Sequence, residues 1–163
     1  MNLQEFKERL DRIDDLYKQQ GYESALQLVQ TLLSDFPFSL ELLVNYAKLL
    51  QLIDKDDMSN VPALDTALEY LKQAHFIAPD AIEPCIELGY FEYAVNDCAS
   101  EAIQYFDAAQ KNAESGLKKA LIGQIKCYVD LDKRLQAREC LDKAKLFFPD
   151  ESEFGILELE LES

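Results

Sequence analysis

The stretch Asp65–Pro79, DTALEYLKQAHFIAP, holds two alanines seven residues apart, Ala67 and Ala74, and a proline five residues after the second. The same frame stands at Ala25, Leu32 and Pro37 and again at Ala137, Ala144 and Pro149. A fourth copy has Ala102 and Ala109, but Glu114 occupies the place of the proline. Residues seven apart lie two turns apart on one face of a helix. Small side chains at both places let a neighbouring helix approach closely, while Leu71 or Phe106 between them fills the core. Proline then ends the helix, because its ring clashes with a continuing turn and its nitrogen carries no proton.

The copies are periodic. Ala67, Ala102 and Ala137 are spaced by 35, and Ala25 precedes Ala67 by 42, so one unit carries about seven extra residues. Between them lie further helical patterns, such as Leu43, Tyr46, Ala47 and Leu50 at i, i+3, i+4 and i+7. Strand patterns are nearly absent. After Pro79 and Pro149 come Asp80 with Glu83 and Asp150 with Glu153, the spacing of a capping box that opens the next helix. Each period therefore reads as two antiparallel helices, with the prolines at the joints.

In this respect the chain resembles the tetratricopeptide repeat family. The first helices carry Cys85, Leu88, Gly89 and Glu92 in one copy and Leu121, Gln124, Ile125 and Tyr128 in the next. Leu43, Tyr46, Ala47 and Leu50 fill these places in the second copy, and Arg9, Arg12, Ile13 and Leu16 in the first. The resemblance covers about residues 6–150. It implies an all-α, right-handed superhelical solenoid of four repeats, over about 6–39, 40–81, 82–116 and 117–150. A cap over 151–163 completes a single domain. That cap, DESEFGILELELES, alternates with period two in LELELE, yet Leu and Glu favour helix. A short helix buries Phe154, Leu157 and Leu161 and turns a polar face outward, as the end of a repeat stack requires.

The net charge of −15 argues against sequence-independent nucleic-acid binding and against anionic membrane surfaces. It is also unevenly spread. Residues 1–39 sum to −3, residues 40–116 to −10 and residues 117–149 to +4, while the tail from Asp150 holds six acids and no base. The basic stretch can hold the acidic tail of its own chain or of another. The start of the chain is charged throughout and lacks the apolar core of a signal peptide. No apolar run reaches the ~18–20 residues of a membrane helix. The four cysteines form no CxxC, and Cys85 and Cys127 fall in patterns that look buried, so free thiols in a cytoplasmic protein are expected.

Catalytic machinery is not legible. The single histidine, His75, lies at a helix end with no partner motif, and neither a Gly-rich phosphate loop, GxSxG nor HExxH is present. The chain reads as a non-enzyme with no cofactor and no metal. In the insertion of the second repeat, residues 52–65, Asp54, Asp56 and Asp65 mimic three positions of a calcium loop. Met58 and Ser59 stand where an oxygen ligand and the turn glycine are needed, so the loop reads as solvated or as a partner contact.

The family's register places a ligand groove on the first helices. Carried over, it nominates Asp11, Asp14, Tyr17, Asn45, Lys48, Glu83, Glu87, Tyr90, Tyr93 and Lys126, with Glu41 and Val44 beside them. Some family members clamp the carboxylate terminus of a heat-shock chaperone with Lys, Asn, Asn, Lys and Arg. The matching positions here are Leu10, Asp14, Asn45, Glu83 and Glu87, which would repel it. Carboxylates interleaved with tyrosines suit a basic or amphipathic segment of another protein, unless the acids are only a solvated face. The resemblance thus implies an adaptor or chaperone-like module, similar in length and acidity to tetratricopeptide chaperones of bacterial secretion systems or to small immunity proteins against a basic toxin. A self-associating scaffold subunit, joined by its tail or by the open end of the stack, is the alternative.

Overall fold

The computed structural model describes residues 2–53 and 64–162, and every regular element among them is helical. In order these are α1 (Leu3–Lys18), α2 (Tyr22–Asp35), α3 (Leu40–Leu52), α4 (Leu64–Ile77), α5 (Ile82–Ala94), α6 (Ala99–Asp130), α7 (Arg134–Phe147) and α8 (Ser152–Glu162). None of them is long and apolar enough to cross a membrane. Most of the insertion, including Asp54, Asp56, Met58 and Ser59, lies outside the described residues.

The prolines act as the frame predicts. Pro37, Pro79 and Pro149 each stand two residues past the last residue of a helix, at Asp35, Ile77 and Phe147. Every small residue of the frame is buried: Ala25, Ala67, Ala74, Ala102, Ala109, Ala137 and Ala144. The large first-helix residues Leu43, Leu88 and Leu121 are buried with them.

Where the fourth copy lacks its proline, the break expected near residue 116 does not occur. Helix α6 runs unbroken for 32 residues through Glu114 and Gly116. Glu114 keeps the backbone proton a helix needs and accepts a bond from Gln110 Nε2 one turn earlier, at 2.7 Å. A lone glycine costs only about 1 kcal/mol in a helix, too little to stop one flanked by good helix formers.

The chain divides into two compact units, Met1–Ala109 and Gln110–Ser163, the boundary falling within α6. In the first unit, α1 to α5 and the start of α6 bury a core that includes Ile13, Val29, Leu32, Leu43, Leu50, Leu71, Leu88 and Phe91. Gly89 belongs to this packing. A Cβ there would come within 2.7 Å of the Phe106 ring, so α5 approaches α6 more closely than any larger residue allows. In the second unit, Leu121 and Ile125 of α6 and Leu141 and Ala144 of α7 pack with Phe154 and Leu157 of α8.

Three expectations need correction. The capping box predicted at Asp80 does not form, because the residue before α5 is Ala81, which has no side-chain acceptor. A capping box closes instead on α1, between Asn2 and Glu5, with bonds of 3.0 and 2.8 Å. Cys127 is exposed, since the buried side of α6 passes through Leu121 and Ile125. The acidic tail is helical, and Phe154 and Leu157 are buried with Leu161 packed against them, but its outer face is only partly polar, with Ser152, Glu160 and Glu162 beside two large apolar residues. Ile156 is 57% exposed there and Leu159 69%.

Candidate functional site

On the first unit, three helices carry polar side chains to one side. Helix α1 contributes Asp11, Asp14 and Tyr17, α3 contributes Glu41, Asn45 and Lys48, and α5 contributes Glu83, Glu87 and Tyr90. Spacings of three and four align each trio along one face of its helix. Two recesses open there. One, of about 90 Å³, is lined by Ile13, Asp14, Tyr17, Asn45, Lys48 and Leu49. The other, of about 320 Å³, is lined by Tyr17, Lys48, Gln51, Leu52 and Glu87. Tyr17 and Lys48 belong to both.

Lys48 is the electrostatic hinge of this face. Its Nζ lies 3.2 Å from a Glu87 carboxylate oxygen and 3.4 Å from one of Glu83, tying α3 to α5. Partial burial pulls the ammonium down, but the two carboxylates, Glu87 foremost, outweigh it and hold it above the usual lysine range. Glu41 shows the opposite balance. Partial burial first, then the negative charges of Asp14, Glu83 and Asp11, push its carboxyl above the usual range. Four carboxylates from three helices therefore share one neighbourhood, in which added positive charge is favoured.

Among the nominated residues, Asp11 contributes to the field at Glu41 but lines neither recess. Tyr90 is exposed, with its ring edge-on to Phe106 at 5.2 Å. Tyr93 is exposed outside both recesses. Val44 is buried and forms part of the core instead of the face. Lys126 belongs to the second unit, where it pairs with Glu153 at 3.4 Å. Sequence reasoning did not nominate Gln51 and Leu52. Gln51 stands one turn beyond Lys48, and extending the register by that turn finds it.

The histidine is used in packing. His75 Nδ1 lies 3.5 Å from the Cys85 thiol, and the ring meets Tyr105 edge-on at 6.2 Å. Burial pushes the Cys85 thiol up, so it stays protonated. Among the described residues no group of three or more His, Cys, Asp or Glu is placed to hold a metal ion.

The second unit uses its charge internally. Lys118 pairs with Glu151 at 2.7 Å and Lys126 with Glu153 at 3.4 Å. Arg138 reaches Glu158 at 3.9 Å and Glu162 at 3.5 Å, and Lys145 also bonds Glu158. The hydrogen bond to Lys118 lowers the Glu151 carboxyl, and that to Lys145 lowers Glu158. The basic stretch thus holds the acidic tail of its own chain.

No protein-family model matches this chain, and no characterised protein matches its sequence. The chemistry of the two charged faces therefore carries the functional reading.

Proposed function

We propose that this is a non-enzymatic protein-binding module of tetratricopeptide-like build, a cytoplasmic adaptor or chaperone-like protein. Its face over α1, α3 and α5 takes a basic or amphipathic segment of a partner. The observation that carries the reading is the clustering of Asp11, Asp14, Glu41 and Glu83 from three helices, with Asp14 lining a recess it shares with Tyr17. An incoming Lys or Arg relieves the mutual repulsion of these acids, and its stem can lie against Tyr17 or Tyr90. Lys48 is the protein's own example of the bond: an ammonium held between carboxylates four residues apart on α5.

The test uses a labelled Lys- and Arg-rich amphipathic peptide, titrated by fluorescence anisotropy at low and high salt. The variant Glu83→Lys, Glu87→Lys, Tyr90→Ala should lose at least about tenfold in affinity while its circular dichroism stays that of the parent. Salt-insensitive uptake by a folded variant, equal to that of the parent, would remove the site from this face.

Self-association is the second reading, favoured by the exposed Ile156 and Leu159 on the outer face of α8. A mass in solution that rises with concentration, and no longer does after Leu159→Glu, supports it.

A further inference from the structure

The contact between α8 and the rest of the second unit has the form of a helix bound in a groove. Its floor is Leu121 and Ile125 of α6 with Leu141 and Ala144 of α7. Its rim is cationic, from Lys118 and Lys126 on one side and Arg138 and Lys145 on the other. The occupant drives Phe154 and Leu157 onto the floor and sets its glutamates against the rim. Laying an amphipathic helix into an apolar groove with complementary edges is a general mode of peptide recognition.

We propose that this groove is a binding surface for an acidic amphipathic helix of a partner protein, and that α8 is the ligand it holds in cis until the partner takes its place. Three observations support displacement over a permanent cap. The rim pairs stand in water, with side chains from 29% to 57% exposed, so they are screened by salt and readily exchanged for equivalent carboxylates. The helix is short, and Phe154 and Leu157 are its only fully buried side chains. Ile156 and Leu159 already face solvent in the docked state, and the floor and anchors that departure of α8 uncovers are covered again by an incoming helix with anchors of its own. Charge selects the partner class. The stretch 117–149 is net positive and its resident ligand carries acids and no base, so a basic helix would be refused. This surface is separate in residues and opposite in sign from the face on the first unit.

The probe is a labelled peptide of residues 150–162, titrated against full-length protein by fluorescence anisotropy. The full-length variant Glu153→Lys, Glu158→Lys, Glu162→Lys sets α8 against like charges and leaves the groove unchanged. It should take up the peptide about tenfold more tightly than the parent, and more weakly as salt rises. Adding Lys126→Glu and Arg138→Glu should abolish that uptake, and a peptide with its Phe and Leu positions scrambled should not bind. If the triple variant fails to fold, Glu158→Gln, which loses only the pairs to Lys145 and Arg138, decides the matter with a gain of about two- to threefold. Equal affinity for the parent and the folded released variants, no uptake by either, or equal uptake of the scrambled peptide overturns the proposal.

Discussion

Placing at residue 114 the proline that the fourth copy of the frame lacks tests whether the chain turns there or runs on. In the structure Glu114 lies deep within α6, far from either end at Ala99 and Asp130. Glu114→Pro removes the backbone bond to the carbonyl of residue 110 and drives the pyrrolidine ring into that carbonyl, a cost of about 3 kcal/mol or more. Loss of the exposed bond from Gln110 adds only a few tenths, roughly the worth of a surface i,i+4 pair. Gly116→Ala is the counterpart. A Cβ at Gly116 meets nothing within 4 Å, so the alanine gains about 0.5–1 kcal/mol of helix stability without a clash. In a chain of this length, about 1 kcal/mol moves Tm by roughly 2–4 °C. Thermal unfolding followed by circular dichroism should therefore fall by about 6–12 °C for Glu114→Pro and rise by about 1–4 °C for Gly116→Ala. A joint between two helices at this point gives the reverse pattern, with proline accepted and alanine harmful. A Glu114→Pro protein as stable as the parent would refute the continuous helix and the reasoning built on it.

Gly89→Ala should behave unlike Gly116→Ala. The gain in helix propensity is about 1 kcal/mol, but forcing the Phe106 ring from 2.7 Å costs about 1–3 kcal/mol, so urea unfolding should show net loss, restored in part by Phe106→Leu. Phe154→Ala empties a fully buried site and should cost the second unit about 3–5 kcal/mol, measured by the same unfolding. Stability should also depend on pH through the clasp on α8. The lowered carboxyls of Glu151 and Glu158 contribute above their unfolded values, and that contribution is lost as pH falls through the lower folded ones. The raised ammonium of Lys118 contributes below its unfolded value, and this is lost as pH rises through the higher folded one. Glu158→Gln should flatten the acid limb of the Tm–pH curve and leave the alkaline limb unchanged.

The repeat frame made much of the fold legible, because alanine pairs and prolines report local physics: close approach of two helices, then a stop. Wherever the proline of the frame stands, at Pro37, Pro79 and Pro149, a helix ends as expected. At Glu114 the periodicity alone implied a boundary, and the residue types that enforce one were missing. Local chemistry prevailed over register there. The tail could be read as a helix because Leu and Glu both favour that state, and its inward residues followed from spacing. The apolar part of its outer face was also written in Ile156 and Leu159, but the expectation of a polar cap masked it. In the candidate site the register placed Asp14, Tyr17, Asn45, Lys48 and Glu87 around two recesses. It could not show that Lys48 is already paired, because that depends on how closely α3 approaches α5. The distance between side chains 35 and 39 residues apart in the chain is a property of packing, which periodicity does not encode.

The free thiols make the protein its own stopwatch. Cys85 is buried in the first unit beside His75, and Cys140 is half-buried in the second, where its thiol lies 3.9 Å from the Leu121 carbonyl. Burial raises both thiols and slows their attack on an electrophile while the helices stay closed. Cys127, already exposed, sets the zero of the clock. The lag between its labelling and that of Cys85 or Cys140 counts how often each unit opens, with no foreign probe placed in either core.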